Sequence, residues 1–505
     1  MLKNTRRLLA VVSLLLMFAV FVDFTGTAAR WLSFLPKLQL IPALFALNAL
    51  ALAVIVVLTL LLGRIYCSII CPLGIIQDIA ARVRKWLSPK RKRKGGLYGY
   101  KPAHKALRYS FLGVFVLLAA AGLTGLFAAS YSGLLDPYSI FGRATGQWLV
   151  PAWRQASVFV AQKAAESQYY IIDGFPAPSA FSWLLAGIAA AQIIIVIALA
   201  VWKGRIYCNA VCPVGTALGA VSRHSLMRIV IDEDKCVVCG KCARHCKSEC
   251  IDFKGHNIDY SRCVVCMDCL DKCSTNALSF RMAPRKHKAA AKPDQGRRAF
   301  LAGAGVIAGA MAAHAADKVT DGGLAPIKKK ESHTDVLAPV PAGAVSVKHL
   351  QSHCTACQLC ISACPQAVLK PSLKPGNFMQ PEMHFTEGFC DITCNRCSEV
   401  CPAGAIKPID IPEKTSIKVG SATVDPFACI SAAFGQQCGT CARNCPTGAI
   451  EMVRGENGNL RPVVGENACI GCGKCEFVCP VGTAGQTNGT RAAIYVTGLE
   501  IHKRI

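Results

Sequence analysis

Long apolar runs alternate with basic loops in the first two-fifths of the chain, and short polar segments punctuated by cysteine make up most of the rest. Four runs are long enough to cross a bilayer as helices: Leu8–Phe24, Ile41–Leu62, Tyr109–Ser130 and Phe181–Trp202. The first is the shortest and also fits a signal peptide ending near Thr27-Ala28-Ala29. Between the second and third runs, Arg64 to Arg108 holds 12 Lys/Arg, whereas Tyr131 to Ala180 holds three, Arg143, Arg154 and Lys163. The positive-inside rule therefore predicts a cytoplasmic basic loop, and a cytoplasmic N-terminus with Lys3, Arg6 and Arg7. Further on, Cys250 to Tyr260 reads as a short hairpin with its turn at Lys254–Asn257.

Composition agrees with a membrane half. The 505 residues are 52% hydrophobic and 17% charged, with mean hydropathy +0.37, which excludes both a purely soluble enzyme and a disordered chain. The net charge of +26 suggests nucleic acid until it is located. From Asp317 onward there are 18 Lys/Arg against 16 Asp/Glu, while the first 316 residues carry 38 against 14. The excess lies among the membrane spans, and no basic platform interleaved with aromatics exists, so nucleic acid is not an expected partner.

The second and fourth spans end in a repeat. Gly63-Arg64-Ile65-Tyr66-Cys67 through Cys71-Pro72-Leu73-Gly74 returns as Gly204-Arg205-Ile206-Tyr207-Cys208 through Cys212-Pro213-Val214-Gly215. Cysteines at i and i+4 on two such ends could gather four thiolates, enough for an iron–sulfur centre or another thiophilic metal. Packing helices with inert thiols or a disulfide explain the same residues, and the sequence leaves both readings open for Cys67, Cys71, Cys208 and Cys212. No span contains histidine and no Cys-x-x-Cys-His occurs, so no haem is expected.

The remaining cysteines form two arrays. The first is Cys236, Cys239, Cys242 and Cys246, then Cys263, Cys266, Cys269 and Cys273, each spaced x2, x2, x3. This is two-cluster ferredoxin spacing, in which three close cysteines hold one 4Fe-4S cube and the fourth turns to the other; a zinc ribbon is the competitor. Lys247 and Ser274 stand where proline usually follows the fourth cysteine. Cys250 is spare, as a packing thiol or as a replacement for Cys246. The second array has four motifs: Cys354, Cys357, Cys360, Cys364; Cys390, Cys394, Cys397, Cys401; Cys429, Cys438, Cys441, Cys445; and Cys469, Cys472, Cys475, Cys479. An x8 gap after Cys429 requires a loop to bring it back. All 29 cysteines are thus accounted for, and six clusters are expected.

Between the arrays, Gly296-Arg297-Arg298-Ala299-Phe300-Leu301 and an apolar run to Ala316 have the form of an internal twin-arginine export signal. Export after metallation would protect the thiols of the second array from oxidation. A linker or a weak fifth span is the alternative. The expected organisation is a membrane domain (1–224), a cytoplasmic two-cluster domain (225–285), a linker and tether (286–345) and a four-cluster domain (346–505). The fold class is an α-helical membrane bundle plus two α+β bacterial-ferredoxin-like domains.

On these spans and motifs, residues 1–285 resemble NapH, the membrane ferredoxin-type subunit of periplasmic nitrate reductase systems, and residues 297–505 resemble NapG, a twin-arginine-exported four-cluster protein. The resemblance implies a bacterial inner-membrane quinol dehydrogenase. Electrons would leave the quinol pool and pass through clusters to a periplasmic reductase. A maturation or redox-sensing factor, or a conduit fed by a cytoplasmic low-potential donor, are the other readings. Asp136, Tyr138 and Arg143 suit proton steering or a helix cap.

Overall fold

The computed structural model describes residues 2–23, 26–89, 96–166, 182–282, 320–321, 325–326, 330–455, 458–482 and 490–505. The twin-arginine segment, the apolar run to Ala316, residues 90–94 of the basic run and Phe181 lie outside them.

The membrane half is helical, with α1 (Leu2–Val22), α2 (Ala49–Leu62), α3 (Pro72–Leu87), α4 (Lys105–Leu123), α5 (Pro137–Ala144), α6 (Trp183–Lys203) and α7 (Pro213–Ser222). Helices α1, α4 and α6 are long and apolar enough to cross a membrane, while α2 is an apolar helix of 14 residues. The second expected span is therefore broken. Leu47 adopts a left-handed φ of 51°, the Asn48 amide closes back on Ala43 O at 2.9 Å, and the Asn48 side chain caps α2 through Ala51 N. A short helix, Leu40–Phe45, precedes this turn.

The third span ends at Leu123 rather than Ser130, with Thr124 and the left-handed Gly125 closing it. The stretch after Tyr131, expected as a loop, contains the buried helix α5, which continues through a wider turn into Val150–Glu166. Asp136 caps α5, accepting from Tyr138 N, Ser139 N and Ser139 Oγ. Of its two sequence readings, the cap is the one seen.

The first array is framed by an antiparallel pair, β1 (Met227–Ile231) and β4 (Leu278–Met282). Between them the expected hairpin forms from β2 (Ile251–Asp252) and β3 (Asn257–Ile258), in register Ile251↔Ile258. The second array carries three more antiparallel pairs: β5 (Leu369–Pro371) with β6 (Pro381–Met383), β8 (Ile450–Arg454) with β9 (Leu460–Val464), and β7 (Ile417–Val424) with β10 (Ile494–Arg504).

The two arrays contact opposite ends of the same helices. On α1, Lys3 pairs with Asp271 and Arg7 with Asp268 of the first array, whereas Met17, Val20 and Phe21 share a core with Cys357 and Cys360 of the second. On α4, Arg108 donates to Ser261 Oγ at 3.0 Å, and beyond its far end Ala129 N reaches Gln351 O at 2.8 Å. On α6, Leu185 packs with Ala356 and Met379, and just past the other end Arg205 N donates to Lys247 O.

Candidate iron–sulfur sites

Among the described residues, no three His, Cys, Asp or Glu side chains converge on a point where a single ion would sit. Cysteines instead ring small cavities, and each ring takes its fourth member from the neighbouring motif. Cys390, Cys394 and Cys397 line one with Cys364. Cys429, Cys438 and Cys441 line another with Cys479, and Cys469, Cys472 and Cys475 a third with Cys445. Cys354, Cys357 and Cys360 lie within electrostatic reach of Cys401. The four motifs thus pair first with second and third with fourth, a partition the spacings alone left undetermined. Cys429 joins its ring despite the long gap, because the short helix Ile430–Phe434 and left-handed Gly435 turn the chain back.

In the first array, Cys263, Cys266 and Cys269 line a cavity with Cys246 and Cys250. Cys246 and Cys250 are in sulfur–sulfur contact at 3.5 Å. Cys242 and Cys273 border the same small core, with Cys236 and Cys239 beside Cys242.

The loops between ligands are tightly wrapped. Val238, Val265, Met267, Ala356 and Gln358 all have φ between 50° and 62°, a region that β-branched valine rarely enters unless its surroundings hold it there. Wrapping of this kind points backbone N–H groups at sulfur. Ala277 N donates to Cys273 Sγ at 3.2 Å, Ile406 N to Cys401 Sγ at 3.4 Å, and Ala449 N to Cys445 Sγ at 3.3 Å. Such donors favour thiolate over thiol. Burial acts the other way, pushing Cys441 and Cys472 up to about 11, so these sulfurs need a bound cation to ionise at neutral pH. The donor set fits 4Fe-4S clusters.

Lysines stand beside the rings. Lys414 donates to the carbonyls of Asp391 and Cys394; burial opposes its charge, but the Cys390 and Cys397 sulfurs hold its pKa up. Lys330 Nζ donates to the carbonyls of Glu476, Phe477 and Cys479 at 2.8–3.0 Å. Lys247, in place of proline, is buried near Cys266 and pairs with Asp78 of α3 at 2.9 Å. Tyr138 is 1% exposed and its hydroxyl has no hydrogen-bond partner among the described residues, although Cys357, Cys360 and Cys401 lie within electrostatic reach.

The repeat cysteines Cys67, Cys71, Cys208 and Cys212 are all buried and free, and close enough to interact electrostatically with one another. Their two copies interlock. Arg64 Nη2 donates to Cys208 O at 3.2 Å and to Cys67 Sγ at 3.8 Å; Arg205 Nη1 donates to Cys67 O at 2.7 Å and to Cys208 Sγ at 3.7 Å. Gln77 Nε2 adds a bond to Cys208 Sγ at 3.2 Å, and Gly215 N one to Cys212 Sγ at 3.3 Å. A Cβ on Gly74 or Gly215 would collide with the Cys67 or Cys208 carbonyl, so both glycines are required for the tight return into α3 and α7. The signal for the arginine exchange was the identical Gly-Arg-Ile-Tyr-Cys in both copies. The partners Gln77 and Asp78 lie outside the part of the repeat shared by both copies, so sequence reading did not single them out.

Fold and sites together define a membrane ferredoxin-type iron–sulfur electron-transfer protein. A family model described as a 4Fe-4S binding domain matches residues 44–94 and 183–230, spanning both repeat copies. Models described as a 4Fe-4S dicluster domain match 353–406, which holds the first two motifs, and 436–483, which holds the last two from Cys438 onward. The chain is 30% identical to the ferredoxin-type protein NapG of Escherichia coli over 203 residues, covering 37% of this chain and 83% of that protein. It is 32% identical over 171 residues to the methylamine utilization ferredoxin-type protein MauM of Paracoccus denitrificans, covering 32% of this chain and 75% of that protein. Against the ferredoxin-type protein NapH of Haemophilus influenzae it is 30% identical over 203 residues, 40% of this chain and 54% of that protein. No solved structure gives a significant match. The chain belongs to the NapG family of ferredoxin-type proteins, as a fusion with a NapH-like membrane part.

Proposed function

We propose that the chain oxidises membrane quinol and conducts the electrons through its clusters to a reductase on the periplasmic side. The observation that carries this reading is the attachment of two cysteine arrays to opposite ends of one apolar helical bundle. The ferredoxin-type cysteines would hold 4Fe-4S clusters as one-electron carriers; a quinol delivers two electrons and two protons, so each turnover needs two such carriers and a proton exit. The chain's own residues set the carriers' environment. Backbone amides and lysines 247, 330 and 414 offset the negative charge of thiolate-bound iron, and apolar packing excludes water.

Orientation follows from charge. Lys3 and Arg7 pair with the first array, and the positive-inside rule supports a cytoplasmic position for that end. The four-cluster part is then periplasmic, in keeping with the twin-arginine segment before it. Asp136 and Arg143 have structural tasks. Asp136 caps α5, and Arg143 donates to Gln192 Oε1 and to the Gly133 and Ala356 carbonyls, clamping the second array to the bundle.

The test uses anaerobically purified protein in liposomes. A reduced menaquinone analogue should bleach the cluster absorbance, and a quinone-site inhibitor should prevent it. Bleaching by dithionite but not by quinol would overturn the reading in favour of a low-potential donor or a maturation role.

A further inference from the structure

We propose that Cys67, Cys71, Cys208 and Cys212 hold a seventh, one-electron metal–sulfur centre that relays electrons between the two arrays, through the bundle and without an intervening quinone. The proposal deepens the electron-transfer reading above and rests on it.

Charge is the first argument. Arg64 and Arg205 are both 0% exposed. Arg64 has no carboxylate partner among the described residues; it donates to Asn209 Oδ1, to the Ser261 and Cys208 carbonyls and to Cys67 Sγ. Arg205 has Asp78, but that carboxylate is shared with Arg6 and Lys247. Buried guanidinium is unfavourable without a counter-charge. Four neutral thiols supply none, whereas metal-bound thiolates do. Arg64 Nε and Arg205 Nη2 are also buried and without partners among the described residues.

Position is the second. One buried cluster contains Cys67, Cys71 and Cys212 together with Val264 and, at its edge, Cys266 of the first array; the same cluster contains Ala403, two residues beyond Cys401 of the second. Towards the first array, a Cβ on Gly63 would meet the Val265 side chain, and Arg64 bonds Ser261 O at 2.8 Å. Towards the second, Tyr207, adjacent to Cys208, donates from Oη to Leu135 O at 3.1 Å. Leu135 leads through Asp136 into α5, whose Gly142 lies against the Cys357 carbonyl. The quartet is thus packed between both arrays.

A centre held by Cys67, Cys71, Cys208 and Cys212 would take one electron from a cluster of one array and give one electron to a cluster of the other. No covalent bond is made or broken. Arg64 and Arg205, which donate to Cys67 Sγ and Cys208 Sγ, would offset the added electron.

Full-length protein in liposomes, with the first array outward and dithionite added outside, provides the test. Wild type should bleach completely. The Cys67→Ser/Cys208→Ser variant should contain about four fewer iron atoms per chain and keep the signals of the other clusters. Only the first array should then bleach until a membrane-permeant mediator is added. Gln77→Leu, which removes one bond to Cys208 Sγ, should retain all iron and shift one electron-paramagnetic signal. Unchanged iron, complete bleaching of the double variant, or no shift in Gln77→Leu would each overturn the relay. Because dithionite replaces quinol here, a protein that passes dithionite electrons but ignores quinol sinks the quinol reading alone.

Discussion

Lys247 and Asp78 meet at 2.9 Å across the seam between the first array and the membrane bundle. The four motifs of the second array have proline after the fourth cysteine, at 365, 402, 446 and 480, and proline offers no ammonium. Asp78 also receives Arg205 at 2.7 Å and Arg6 at 3.2 Å. Burial opposes its charge, but Arg205 and Lys247 together hold its carboxyl well below the usual range. The missing proline is therefore an attachment point, and a buried one.

Removing the shared carboxylate should cost more than removing one cation. Asp78→Asn takes the carboxylate from buried Arg6 and Arg205 and leaves Lys247 only Asp268 at 3.3 Å, and should weaken docking of the first array by about 3–5 kcal/mol; Lys247→Met, which leaves Asp78 two arginines, should cost less. Hydrogen exchange across residues 245–270 reports both. Equal or reversed protection losses would count against a shared hub.

Exchange of the fourth ligand between motifs predicts which losses coincide. Cys364→Ala and Cys397→Ala should abolish the same electron-paramagnetic signal, and the double variant should lose no more iron than either single. Cys364→Ala with Cys401→Ala should lose about twice as much, since those sulfurs belong to different rings. Additive loss in the first pair would refute the pairing.

Cys250 touches Cys246 at 3.5 Å, and both line the ring of Cys263, Cys266 and Cys269. With Cys246 as ligand and Cys250 as its hydrogen-bond donor, Cys250→Ala retains iron and lowers one midpoint potential, whereas Cys246→Ala loses a cluster. Iron analysis with a redox titration separates the two, and the opposite pattern would make Cys250 the ligand.

The orphan hydroxyl of Tyr138 has a similar reading. A buried donor without an acceptor is unfavourable, so Tyr138→Phe should leave thermal stability unchanged or raise it. If the phenol donates to the cluster of Cys354, Cys357, Cys360 and Cys401, the same variant lowers that cluster's midpoint potential. No shift in the titration would show that it does not.

The end of β10 should respond to pH. Both ring nitrogens of His502 are buried without partners among the described residues, and burial pushes its pKa down to about 4 from an ordinary value near 6.5. The unfolded strand takes up a proton below about pH 6.5 while the folded strand stays neutral. Stability is therefore full above pH 6.5 and declines as pH falls towards 4. The protection factor of the His502 amide, bonded to Val345 O at 2.9 Å, should fall between pH 7 and pH 5. His502→Phe should remove that dependence.

Much of this protein was legible one residue at a time. Apolar run length marked the helices because a bilayer demands continuous hydrocarbon, and x2, x2, x3 spacing marked the ferredoxin motifs because a cube needs close ligands from one loop. Local chemistry also placed the hairpin after Cys250. The break at Leu47–Asn48 was missed because the apolar run continues through a capping asparagine, and α5 because its polar residues are satisfied by capping and by the second array. The pairing of motifs, the exchange of Arg64 and Arg205 between repeat copies, and the Lys247–Asp78 seam each join residues more than twenty positions apart. No period or spacing encodes such meetings. Packing decided them, because a buried charge or thiolate is tolerated only where folding brings its partner.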